Sequence, residues 1–181
     1  MATVIILNGV SSVGKTTLAK AIQQAASRDF LHISMDGFIA MLPDGREFAP
    51  DWFPVEHGEA EGRRAVAISN GPLGAKLLAT MRQTIADLAD KGFDLVVDEV
   101  CKAPAITDYR QRLAGHGVHV VKVAADLAEV ERRERERGDR LIGLAREQAG
   151  YLHDGIEYDQ VVDTGARPAE EFAQEILGAL A

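Results

Sequence analysis

The chain has 181 residues, 46% hydrophobic and 6% aromatic, with 28 acidic against 20 basic side chains and a formal net charge of −8. That length and apolar content suit one domain with a core large enough for a multi-stranded sheet. The acidic balance argues against a duplex- or RNA-binding role, because phosphate neutralisation needs a basic face and the arginines from Arg132 to Arg140 alternate with glutamates. No apolar run reaches membrane-spanning length, and Met1-Ala2-Thr3 leads into a strand without a basic, then apolar, leader, so a cytoplasmic protein is expected. The single cysteine, Cys101, agrees with a reducing compartment and reads as a small buried residue at a strand end.

In chain order, Val4-Ile5-Ile6 supplies a buried strand and Gly9-Val10-Ser11-Ser12-Val13-Gly14-Lys15-Thr16 follows it, matching G-x-x-x-x-G-K-[ST], the phosphate-binding P-loop pattern. A helical pattern (Leu18, Ala19, Ala21, Ile22, Ala25) begins at once, which is the context the motif requires. Unpaired N–H groups and the dipole at that helix start favour an anion, and Lys15 adds a full charge. Gly9 to Thr17 are therefore the candidate nucleotide-binding residues. Phe30 to Met35 reads as a second strand ending at Asp36-Gly37. The composition then changes through an insertion around 38–72, rich in proline and glycine, with one helical stretch expected from Glu56 to Ile68.

Regular alternation resumes with a helix from Leu73 to Lys91, a strand Phe93 to Val100, a helix Ala105 to Ala114 and a strand Val118 to Val123. A helix Leu127 to Arg137, an irregular charged lid around 137–157, a strand Tyr158 to Val162 and a helix Ala169 to Leu180 complete the chain. Strands alternating with helices require parallel pairing through right-handed crossovers. The expectation is a three-layer α/β/α sandwich on a five-stranded parallel sheet, the P-loop NTPase (nucleotide kinase-like) fold. Ligands in such sheets bind at the carboxyl ends of the strands.

Three further positions carry chemistry. Asp98 ends a strand where a carboxylate can share a magnesium ion with the Thr16 hydroxyl; Glu99 beside it points to the other face, and a plain solvated strand end is the alternative. Asp36 is the candidate base for a phosphoryl acceptor, on a strand expected beside the P-loop strand, or else caps the turn Gly37 to Met41. In the arginine run, Glu129/Arg133, Glu131/Arg135 and Glu136/Arg140 have i, i+4 ion-pair spacing and describe a solvated face. Yet Arg137-Gly138-Asp139-Arg140 breaks the helix at a glycine, so Arg137 and Arg140 are candidates to close over the transferring group. The histidines form no metal-ligand spacing, and no Asn-Lys-x-Asp sequence signals guanine recognition.

The segments Ile6 to Thr16, Met35-Asp36-Gly37-Phe38-Ile39-Ala40-Met41-Leu42-Pro43 and Val97-Asp98-Glu99-Val100 together resemble the chloramphenicol phosphotransferase family. So do Arg137 to Ala145, Gln148, His153 to Asp159 and Val162-Asp163-Thr164, in the same order. The resemblance implies an ATP-dependent, magnesium-dependent transfer of the γ-phosphoryl group to an alcohol. Lys15 and the loop would hold ATP, Asp36 would deprotonate the acceptor, and Arg137 and Arg140 would be lid arginines. It does not extend through Asp44 to Gly74, so the acceptor is a small hydroxylated molecule of open identity, with chloramphenicol or a related antibiotic one candidate. A metabolite kinase of the shikimate or gluconate type, using an arginine such as Arg46 or Arg63 for an anionic acceptor, and a nucleotide-dependent switch are the alternatives.

Overall fold

The computed structural model describes residues 1–60, 62–138 and 141–180. The chain runs β1 (Thr3–Asn8), α1 (Lys15–Ala25), β2 (Phe30–Ser34), α2 (Met35–Ile39), β3 (Val55–Ala60), β4 (Arg63–Ile68), α3 (Pro72–Asp90) and β5 (Asp94–Glu99). It continues as α4 (Ala103–Arg112), β6 (Gly117–Ala124), α5 (Leu127–Arg137), α6 (Leu144–Ala149), β7 (Gln160–Asp163) and α7 (Ala169–Ala179). Five strands form a parallel sheet in the order β2-β5-β1-β6-β7. The expected three-layer architecture is therefore present. Among the described residues no helix is long and apolar enough to cross a membrane.

The layering follows from strand periodicity. Successive residues of a strand face opposite sides, and Val4, Ile5, Ile6 and Leu7 are all inaccessible to solvent, so β1 must be covered on both faces. Ile5 and Leu7 pack with Leu18 and Ile22 of α1 and Phe172 and Ile176 of α7. Val4 and Ile6 pack with Leu78, Met81 and Ile85 of α3 and Ile106 and Tyr109 of α4. Each such aliphatic side chain contributes about 1.5–3 kcal/mol on burial.

Four expectations need correction. The strand β2 does not lie beside β1, because β5 separates them. The reason is patterning: Leu95, Val96 and Val97 are fully buried, as an inner strand demands, whereas β2 carries His32, Ser34 and a partly exposed Leu31, which suit an edge. Residues 56–68 are not helical; β3 and β4 form an antiparallel hairpin with Val55 opposite Ile68 and His57 opposite Val66. Gly62 turns between them at φ 71°, a left-handed conformation that suits glycine. The charged stretch before Glu157 is not wholly irregular, since it contains α6. Its start is capped from a distance: the buried Glu134 carboxylate accepts from Gly143 N at 2.7 Å and Ala145 N at 3.0 Å. Finally, α2 begins at Met35 and is capped by Ser34, whose Oγ accepts from Gly37 N at 3.0 Å. Asp36 is thus in the first turn and is not the cap.

Two clamps set the mouth of the sheet. At the end of β1, Asn8 donates to Cys101 O at 3.0 Å and accepts from Cys101 N at 2.8 Å, and its Nδ2 also donates to the Tyr158 hydroxyl at 2.8 Å. His153 Nδ1 lies 2.6 Å from that hydroxyl. On the other side, residues 43–54 wrap the start of α3, with Gly71 N donating to Trp52 O at 2.7 Å and Leu73 N to Asp51 O at 2.8 Å. A Cβ on Gly74 would stand 2.3 Å from Trp52 O and 2.9 Å from the Phe53 ring.

Gly74→Ala should therefore destabilise the fold. Alanine adds about 1 kcal/mol of helix propensity, but the clash is with backbone, and overpacking of this kind costs about 1–3 kcal/mol. A lower urea midpoint is the expected result, and an unchanged or higher midpoint would contradict the packing. The His153 site gives a pH prediction. Burial first, then Lys122 and Lys15, push its imidazole from 6.5 down to about 4. Between those values the unfolded chain binds a proton that the folded chain refuses, so stability is complete above about pH 6.5 and falls as pH drops toward 4. His153→Asn should show a smaller loss of thermal midpoint across that window than the parent chain; equal losses would refute the assignment.

Candidate active site

The loop from Gly9 to Gly14 leaves β1 and delivers the chain to the N-terminus of α1. Its entry is tight, because a Cβ on Gly9 would stand 2.4 Å from Val123 O of β6. Gly14, at φ 103°, makes the last turn into the helix. Lys15 is buried and its Nζ donates to Gly9 O at 2.9 Å and Val10 O at 3.0 Å, so the ammonium folds back over the start of the loop. It also lies 3.9 Å from Asp98 Oδ1.

Asp98 and Glu99 part company at the end of β5. Thr16 Oγ1 donates to Asp98 Oδ2 at 2.6 Å, so Asp98 faces the start of α1. Burial alone would raise the Asp98 carboxyl; nearby His32, Lys15 and the Thr16 hydroxyl outweigh it and hold the group below its ordinary range. His32 Nε2, 3.8 Å from Asp98 Oδ2, is buried without a hydrogen-bond partner among the described residues. Glu99 turns to the other face, where it accepts from Arg82 Nη1 at 2.9 Å and from the Tyr109 hydroxyl at 2.5 Å. Arg82 Nε also donates to Asp108 at 3.1 Å.

Asp36 sits on α2 at the head of β2. It lines, with Lys15, Thr16 and Asp98, one cleft of about 1740 Å³. The same cleft is walled by Met35, Ile39, Leu42, Phe48, Phe53 and Leu78 on the Asp36 side and is edged by Arg133, Arg137, Thr164 and Arg167 on the other. The candidate residues from the β1, β2 and β5 ends thus converge. Arg137 is exposed at the end of α5, where Gly138 takes φ 70°, and it lines the cleft. Arg140 lies outside the described residues.

Several cleft residues have no local sequence signature. Arg133 fulfils its expected pairing with Glu129, at 2.8 Å, but the same guanidinium donates to Val13 O at 3.3 Å, Thr164 Oγ1 at 3.1 Å and Thr164 O at 3.1 Å. Thr164 Oγ1 donates to Val13 O at 2.6 Å, so β7 and α5 both grip the loop. Gln148 of α6 reaches Ser11 N, and Arg82 reaches the floor of the cleft. Glu131 pairs with Arg146 of α6. Elsewhere Arg132 bridges Glu129 and Glu136 on the exposed face that the spacing implied. Arg46 is exposed and pairs with Asp51 at 3.4 Å.

The donor set suits a hard cation. Among the described residues no three or more His, Cys, Asp or Glu side chains cluster as a metal site. Thr16 and Asp98 would supply two oxygens to such an ion, and magnesium is commonly held by few protein oxygens with the rest of its shell from phosphate and water.

Comparison with known proteins bears on the family and the fold. Residues 2–181 match the family described as "Chloramphenicol phosphotransferase-like protein". A Mycobacterium tuberculosis (strain CDC 1551 / Oshkosh) protein named "Putative O-phosphotransferase" is 34% identical over 178 residues, covering 95% of this chain and 79% of that protein. In fold, the chain is similar to the Mycobacterium tuberculosis APS kinase solved with AMPPNP and APS (TM-score 0.68, 17% identity, 99% of this chain and 97% of that one). It is also similar to a gluconokinase from Sinorhizobium meliloti 1021 (TM-score 0.64, 19% identity, 98% and 91%). Family and relative together support a phosphotransferase, and the chain belongs to the chloramphenicol phosphotransferase-like family.

Proposed function

We propose that the chain transfers the γ-phosphoryl group of ATP to a hydroxyl of a small molecule. The observation that carries this reading is the shared cleft, in which the P-loop, Lys15 and Asp98 form one end and Asp36 with an apolar wall forms the other. The loop amides and the α1 N-terminus bind phosphate. Lys15 compensates charge on the β- and γ-phosphates. Thr16 and Asp98 would hold a magnesium ion, which when bound would supply charge neutralisation at the phosphates. Asp36 accepts the proton of the attacking hydroxyl, and Arg137 and Arg140 approach from the lid.

The acceptor side favours a molecule with an apolar face and no carboxylate or phosphate. Its walls include Met35, Ile39, Leu42, Phe48, Phe53 and Leu78 beside Asp44, Glu47, Ser69 and Asn70, so the charges there are acidic, and the charge of Arg82 is already matched by Glu99 and Asp108. Chloramphenicol and related hydroxylated antibiotics belong in the first panel of acceptors, beside sugar acids and other metabolites.

Acceptor-dependent ADP release across that panel tests the reading. With an accepted compound, Asp36→Asn should lower kcat by about 10²–10⁴-fold, the usual contribution of a positioned base, while binding of a non-hydrolysable ATP analogue stays within about twofold. A variant that keeps nearly full rate would remove Asp36 from the role. Asp98→Asn should weaken magnesium-dependent nucleotide binding about tenfold or more and leave metal-free binding much less affected. Equal effects with and without magnesium would argue that Asp98 serves only the Thr16 bond.

A further inference from the structure

Most cations around the cleft face a carboxylate. Lys15 lies near Asp98, Arg82 is held by Glu99 and Asp108, Arg133 by Glu129 and Arg167 by Glu175. Lys102 differs. It lines the same cleft and is exposed, it makes no ion pair among the described residues, and its Nζ rests 4.0 Å from the centre of the Tyr151 ring. A cation–π contact at an exposed site is weak beside a charge-assisted hydrogen bond to a phosphate oxygen. The ammonium is thus parked where an arriving anion can draw it away.

Its root and its resting place are both fixed. Cys101, the preceding residue, is bonded through its N–H and C=O to Asn8 at the end of β1. Lys102 O accepts from Ala105 N at 2.9 Å and Ile106 N at 3.3 Å at the start of α4. On the far side, Tyr151 follows α6, and its hydroxyl donates to Glu147 Oε2 at 2.8 Å, which holds the ring in place. The flexible four-carbon stem between them can swing.

These neighbours also place Lys102 along the reaction path. Asn8 precedes Gly9, where the P-loop begins, and Gln148, three residues before Tyr151, accepts from Ser11 N at 2.7 Å. Lys102 therefore stands beside the first half of the loop. From there the cleft-lining face of α4 runs through Pro104 and Ala105 to Asp108, the partner of Arg82 at the floor of the cleft. The ammonium is rooted between the phosphate loop and that floor, where a phosphoryl group passing from nucleotide to acceptor must cross.

We propose that Lys102 is a catalytic residue that leaves Tyr151 and donates a hydrogen bond to a non-bridging oxygen of the phosphoryl group while it is transferred. The inference rests on the phosphotransferase reading above. In that step the acceptor oxygen bonds to the γ-phosphorus and its proton passes to Asp36. The bond from the γ-phosphorus to the bridging oxygen breaks, and its electron pair leaves with ADP. Lys102 makes and breaks no covalent bond. Its charge meets the equatorial oxygens, over which the negative charge of the transition state is spread. Lys15 serves the phosphates from within the loop before transfer; Lys102 serves the group once it moves.

The test is calorimetric binding of ADP with magnesium to the full chain, alone and with aluminium fluoride as a mimic of the phosphoryl group in transit. Lys102→Met should bind ADP within about twofold of the parent and lose about tenfold or more of the affinity that aluminium fluoride adds. Lys102→Arg keeps the charge and should recover most of that loss. The Tyr151 ring supplies a second readout. In protein with isotope-labelled tyrosine, its resonance is identified among those of three tyrosines by its absence from Tyr151→Leu. It should shift when aluminium fluoride joins the ADP complex of the parent and stay in place in Lys102→Met. Equal weakening with and without aluminium fluoride, no weakening, or the same ring shift in Lys102→Met would overturn the proposal, as would a parent chain that binds ADP and gains nothing from aluminium fluoride. Failure of the parent to bind ADP at all would instead overturn the phosphotransferase reading, and this inference with it.

Discussion

The P-loop end of the cleft depends on how β1 ends. Asn8 is completely buried, and its side-chain amide is bonded to Cys101 N and O and to the Tyr158 hydroxyl. An unpaired buried amide would cost several kcal/mol, so the segment after β5 and the segment before β7 are both tied to one strand end. The next residue, Gly9, lies against Val123 O of β6 with no room for a Cβ. The loop therefore starts from a point fixed on three sides. Arg133 and Thr164 then hold Val13 O near its other end. The loop is therefore held at both ends by the protein itself.

The opposite orientation of Asp98 and Glu99 divides the labour between two adjacent carboxylates. Asp98, with Lys15 and Thr16 beside it, is stabilised as an anion. Burial pushes Glu99 upward, and Arg82 and Tyr109 only partly offset it. Burying a charge is costly unless it is paired and hydrogen-bonded, and the Arg82, Tyr109 and Asp108 contacts meet that requirement. The cluster joins α3, α4 and β5, and Arg82, Glu99 and Asp108 line the cleft. It is structure and cleft floor at once.

Much of this was legible from local pattern. The P-loop, the boundaries of α5, the parallel sheet and the separation of Asp98 from Glu99 all follow from period and motif, which act over a few residues. What was not legible depends on partners far away. The helix α6 is only six residues long and begins where Glu134 caps it, so no continuous apolar stripe announces it. The hairpin β3–β4 lies where glycines and charges obscure the two-residue alternation, and pairing of the strands, not propensity, defines it. Arg133 carries the helix-surface pairing that its spacing implies and a second role that only the fold creates. The edge position of β2 was encoded in His32, Ser34 and Leu31, but strand order is a property of the whole sheet.

One backbone bond gives these parts a shared fate. Val66 N of β4 donates to Gly143 O at the head of α6, at 3.3 Å, and α6 carries Gln148 to the loop. The hairpin, whose Ala67 and Ile68 line the cleft, is thereby stitched to the element that touches the P-loop. Such a hairpin is a poor cassette for exchange among relatives: remodelling it also disturbs the head of α6, so one wall of the cleft and the grip on the P-loop must diversify together.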